Sequence, residues 1–170
     1  MTRARPLPFA IEIGTAHANW LPVEVRLGTH RERISASGVT ATEPVSALLQ
    51  LGSLALLGRD DTAAVQLWCE PSGFWLVAEM QHHRVDLELT FTESMFPGRP
   101  HASRDATERA IASCTLGRVP FALVIWRSVR RAERLLREAW QAGQWRHEFP
   151  ARELEALGCA LSERGALRRT

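Results

Sequence analysis

Residues 64–92, AVQLWCEPSGFWLVAEMQHHRVDLELTFT, decide the fold. Val65, Leu67 and Cys69 alternate with polar or bulky neighbours. Phe74, Leu76, Ala78 and Met80 do the same, as do Val85, Leu87, Leu89 and Phe91. Side chains on a strand point to opposite faces with period two, so each run has one buried and one wet face. The links Pro71-Ser72-Gly73 and His82-His83 are turn-sized. With His82-His83 as a two-residue hairpin loop, Met80 faces Val85, Ala78 faces Leu87, Leu76 faces Leu89 and Phe74 faces Phe91. Every apolar residue then falls on one side. A slip of one residue destroys that match, so the register is self-consistent.

Working outward, Phe9, Ile11 and Ile13, then Val23, Val25 and Leu27, alternate in the same way, and Ile34 and Ala36 continue a hairpin after a turn at 28–31. Residues 14–20 read as a loop. Between these strands and the central run the period changes to helical. Thr42 is the expected N-cap, Glu43 and Pro44 suit a first turn, Val45, Leu48, Leu49, Leu54 and Leu57 follow, and Gly58 closes the helix. Downstream, residues 93–104 read as loop, and Ala110, Ala112, Cys114 and Leu116 as a weaker strand. Phe121, Val124, Ile125, Val129, Ala132, Leu135, Leu136 and Trp140 recur at helical spacing, and Gly143 ends that helix. A last helix begins near Pro150, with Leu154, Leu157 and Leu161 on one stripe. Strands, a helix, a meander, then helices predict an α+β fold: an antiparallel meander sheet with two or three helices packed on one face. The expected organisation is a single domain over 1–164 with a frayed tail at 165–170.

The chain has 170 residues, 45% of them hydrophobic and 24% charged. That composition suits a globular domain that needs no disulfide or metal to hold its core. It excludes collagenous and disordered classes. No apolar run approaches the ~20 residues of a membrane span, and Met1–Pro8 is followed by no secretory h-region, so a cytoplasmic protein is expected. Basic residues number 21 against 19 acidic, and all are arginine, a pattern of GC-rich coding rather than a nucleic-acid footprint. Cys69, Cys114 and Cys159 form no CxxC pair and read as buried free thiols.

Motifs for chemistry are missing. There is no GxGxxG, P-loop, HExxH or GxSxG. His82 and His83 are adjacent and point apart, and His101 and His147 lie elsewhere, so no metal site is expected. Glu12, Glu24, Glu79, Asp86 and Glu88 lie on outer strand faces rather than converging in a pocket, as acid–base catalysis requires. Arg127, Arg130, Arg131, Arg134 and Arg137 are interspersed with Glu133 and Glu138 and read as a solvated helix face. The expectation is a protein that is not an enzyme and takes no cofactor, nucleic acid or membrane.

The tryptophans carry more. Trp140 fits the core stripe of its helix. Trp68 and Trp75 instead share the outer sheet face with Glu70, Glu79, Asp86 and Glu88. If Pro71-Ser72 closes the loop, Trp68 lies directly across from Trp75. Such a pair either stabilises the sheet or anchors a partner, since tryptophan is enriched at interface hot spots and an acidic rim suits a basic partner. Trp68, Trp75, Glu70, Glu79, Asp86 and Glu88 are the candidate partner-binding residues.

The stretch from about Glu43 to Leu161, with the succession VSALLQLGSLALLG, WCEPSGFWLVAEM, RVDLELTF, FALVIWRSVRRAERLLREAW and RHEFPARELEAL, resembles small bacterial proteins akin to immunity proteins of polymorphic toxin systems. The resemblance implies a compact, cytoplasmic, non-catalytic protein that binds a cognate protein toxin and blocks its active site. It assigns no individual residue. Two alternatives are a small-ligand-binding or regulatory module and a structural protein whose surface forms a homodimer.

Overall fold

The computed structural model describes residues 7–39, 43–70, 72–93 and 108–167. The chain runs β1 (Phe9–Ile13), β2 (Trp20–Leu27), β3 (His30–Ser37), α1 (Pro44–Leu56), β4 (Asp61–Trp68), β5 (Gly73–Gln81), β6 (Arg84–Thr92), β7 (Glu108–Gly117), α2 (Arg118–Gln141) and α3 (Ala151–Glu163). This is the expected α+β fold. Its strands form two antiparallel meanders, β1-β2-β3 and β4-β5-β6-β7.

The central hairpin has the register read from the sequence. Met80 pairs with Val85, Ala78 with Leu87, Leu76 with Leu89 and Phe74 with Phe91. His82 takes the left-handed conformation that a two-residue hairpin loop needs, at φ 48°. Val65, Leu67, Leu76, Ala78, Met80, Val85, Leu87 and Leu89 are buried, and join one cluster with α1, α2, α3 and the inner residues of β1–β3. Phe74 and Phe91, at the end of the same face, meet edge-on with ring centroids 5.3 Å apart.

α2 connects the two sheets. Phe121 meets Phe9 of β1 at 5.5 Å between centroids. The buried Ser128 hydroxyl donates to the Ile11 carbonyl at 2.6 Å. Beyond α2, the Gln144 side chain and carbonyl accept from Ala18 N–H (3.1 Å) and Asn19 N–H (2.8 Å), holding two residues with positive φ. His147 Nε2 lies 2.7 Å from the Gly38 carbonyl, which can only accept, so that nitrogen carries the proton.

Helix ends follow local chemistry. Thr42 lies outside the described residues; the capping side chain is Glu43, which accepts from the backbone N–H of Val45 at 3.0 Å and of Ser46. Gly58 and Gly143 have φ of 75° and 68° just past α1 and α2, the left-handed conformation that glycine accepts without a Cβ penalty. α3 starts directly after Pro150. Ala166 and Leu167 rest against the core after α3 ends, and the Ala166 N–H donates to the Leu161 carbonyl at 3.0 Å.

The placing of Trp140 in the core fails. Trp140 is 41% exposed. The buried stripe of α2 runs Ile125, Val129, Ala132, Leu136 and Ala139, and its last inward position falls to Ala139. A step of three from Leu136 keeps to that line; a step of four leaves it.

Leu87 is 1% exposed at the centre of the inner face. Leu87→Ala should cost ~2–5 kcal/mol in denaturant unfolding. A cost within about 0.5 kcal/mol, the size of a surface change, would contradict the inner-face assignment.

Candidate functional site

The outer face of the β4–β7 sheet, opposite the helices, brings most of the candidate residues together. Register sets its rows. Thr62, Glu79, Asp86 and Thr115 lie side by side across the four strands. Ala64, Val77, Glu88 and Ser113 form the next row, followed by Gln66, Trp75 and Thr90, then Trp68, Gly73, Thr92 and Glu108. A bulge at Leu89/Thr90 shifts the β7 register beyond Ala112.

This arrangement corrects the placing of the tryptophan pair. Trp68 lies across from Gly73, and Trp75 across from Gln66. The Cys69 N–H donates to the Ser72 carbonyl at 3.0 Å, so the reversal falls one residue earlier than a loop closed at Pro71-Ser72 would put it. Moving the reversal by one residue moves the pairing by two, which leaves both indoles on the expected face but not opposed. Glu70, exposed with φ 26°, sits in the reversal itself.

Nor are the tryptophans open to a partner. Trp68 is 7% exposed and Trp75 9%. Thr90 and Thr92, beside them, are buried too. The Trp68 indole lies close against Gly73, where a Cβ would sit 2.8 Å from its ring. This end of the face is therefore part of the packed structure.

The other end is open and polar. Glu79 and Asp86 pair directly across β5 and β6, and Glu88 is two residues along on the same face. Glu79 is exposed, and the Asp86 side chain is 31% exposed. Asp86 accepts from Thr115 Oγ1 at 2.6 Å and pairs with Arg84 at 3.2 Å. Glu88 accepts from Thr90 Oγ1 at 3.1 Å, and Glu79 accepts from Gln81 Nε2. Among the described residues, three carboxylates thus share a patch with one arginine and the short side chains of Thr62, Ala64, Val77, Ser113 and Thr115. Neighbours on the sheet hold the carboxylates in place, which lowers the entropy lost when a partner binds them.

Elsewhere, chemistry and structure separate cleanly. Among the described residues no group of three or more His, Cys, Asp or Glu could hold a metal ion. His101 lies outside the described residues. Arg130, Arg134 and Arg137 pair with Glu133 and Glu138 along α2, as a solvated face should. The thiols of Cys69 and Cys114 are half-buried, and burial pushes Cys114 up to about 11, which keeps it protonated and unreactive at neutral pH. Cys159 is exposed, against expectation, because α3 presents only Leu154, Leu157 and Leu161 to the core.

Sequence reading did not foresee Glu43 and Arg118. The Glu43 carboxyl is raised above the usual range, chiefly by burial, with Glu153 adding repulsion and the Ser46 and Val45 amides opposing. Glu153 accepts from the Ser46 hydroxyl at 3.3 Å. Glu43 therefore caps α1, and the Ser46–Glu153 hydrogen bond ties the start of that helix to α3, both structural duties. Arg118, 6% exposed, donates to the Arg59 carbonyl at 2.7 Å and to Asp60 at 3.1 Å, and Asp60 also accepts from the His82 N–H at 2.7 Å. Three chain segments meet at that carboxylate. A Glu before Pro was a visible signal for the cap; nothing local marked Arg118.

Two outcomes follow. Trp75→Ala should destabilise the fold by ~3–5 kcal/mol, the range for a buried aromatic, and near-parental stability would mean the indole is not packed as described. For Glu43, the folded chain holds the proton more tightly than the unfolded chain. Its contribution to stability is complete below the ordinary glutamate value of ~4.3 and is lost as pH rises through the raised folded value. The stability difference between parent and Glu43→Gln should thus shift against the parent as pH rises through that window. A shift in its favour would contradict the burial.

No protein-family model matches the chain, and no curated protein sequence matches it. Among solved structures, a chain of the CdiA-CT/CdiI toxin and immunity complex from Enterobacter cloacae is similar at a TM-score of 0.41 and 14% identity, over 69% of this chain and 97% of that one. At that level the likeness sets neither the fold nor a partner.

Proposed function

We propose that this chain is a non-enzymatic protein-binding protein of the cytoplasm, an immunity protein that neutralises a cognate bacterial toxin. The observation that carries the reading is the open end of the outer sheet face, where Glu79, Asp86 and Glu88 stand in adjacent register over short side chains. A toxin that cuts nucleic acid or nucleotides carries basic residues around its active site. An acidic inhibitor face attracts that surface, speeds encounter and competes with the anionic substrate. The layout resemblance to immunity proteins is consistent with this use. Of the two roles open to the tryptophans, their burial supports the structural one: they pack the far end of the sheet rather than entering the partner.

The reading predicts a toxin gene beside the gene for this chain and restored growth when both are expressed together. A folded chain that neither binds nor protects against that toxin would overturn it. Within the complex, Glu79→Ala with Glu88→Ala should slow association at low salt, with the difference shrinking as salt screens the charges. An association rate unchanged at low salt would remove the acidic face from the mechanism.

A further inference from the structure

A second surface lies on the helical side of the molecule. α2 and α3 diverge around an open groove of about 760 Å³. Its apolar lining includes Trp126, Leu154 and Leu167, with Gly158 at the middle of α3. Glycine inside a helix is less stable than alanine there, so its presence has a packing reason. A Cβ at Gly158 would sit 2.8 Å from Trp126 Nε1, so the bare glycine lets the indole lie against α3. Among the described residues the indole N–H donates to no protein acceptor, and it is only partly buried.

The charges on the rim are unequal. Glu133 is matched by Arg130 and Arg137. Glu155 and Glu163, on α3, are exposed and enter no ion pair among the described residues. The groove therefore offers an apolar floor, a free donor and two uncompensated carboxylates along a helix roughly 20 Å long.

We propose that this groove binds a basic amphipathic segment of a partner protein, whose apolar residues rest on Trp126, Leu154 and Leu167 while its arginines or lysines meet Glu155 and Glu163. The site is separate from the acidic sheet face and stands without it.

The test uses the full chain and a fluorescein-labelled amphipathic helical peptide of leucine and lysine, with a counterpart carrying glutamate for lysine, followed by anisotropy. The lysine peptide should bind the parent, and the glutamate peptide should not. Glu155→Gln with Glu163→Gln, both surface changes, should weaken binding about tenfold, the loss of two exposed ion pairs. Equal binding of both peptides, or no effect of the double variant, overturns the proposal. So does binding that emerges only with Arg168→Gln and Arg169→Gln, since the groove would then serve the chain's own basic end.

Discussion

The register of the β5–β6 hairpin is the constraint on which the rest of the molecule depends. Two residues, His82 and His83, separate the strands, and every pair from Met80–Val85 to Phe74–Phe91 follows from that count. The inner half of those pairs closes the core against α1 and α2. The outer half sets Glu79 beside Asp86 and Val77 beside Glu88. Core and candidate docking surface are thus two sides of one choice. A slip of a single residue would bury the carboxylates and expose the leucines, at a cost in both desolvation and lost apolar burial.

Much of this was legible because period two is a strong signal when every apolar residue of a strand agrees with it. Leu87 and Leu89 could only point inward if Asp86 and Glu88 point outward. The helices were legible for the same reason at period 3.6. What could not be read were features decided by one residue or by distant parts of the chain. The reversal before β5 differs from the expected one by a single residue, enough to separate Trp68 from Trp75. Trp140 and Ala139 are both tolerable ends for an apolar stripe, and only the tertiary packing of α2 chooses between them. The partition of strands into two sheets likewise depends on how α2 reaches from Ile11 to the core, which no local pattern records.

The candidate site shows the same division. Its acidic half was visible as alternation. Its aromatic half was placed on the correct face with two duties left open, sheet stability or a partner anchor, and burial at that end favours the first, because a face is not uniformly wet along its length. Trp68, Trp75, Thr90 and Thr92 are buried at one end of the same surface that leaves Glu79 open at the other. The charge pattern alone could not show that. Buried aromatics pack one end, while half-buried Asp86 and Glu88, fixed by Thr115, Arg84 and Thr90, stand beside exposed Glu79 at the other. Under the proposed function, that division favours fast, salt-sensitive recognition over a single desolvated anchor.

The hairpin register carries both the fold and the proposed surface, so its most direct test is a set of cross-strand nuclear Overhauser contacts in the full chain. The account predicts contacts that pair Ala78 with Leu87, Leu76 with Leu89 and Val77 with Glu88. Contacts displaced by one residue, such as Ala78 with Asp86 or Val77 with Leu87, would contradict it, because the carboxylates would then face the core.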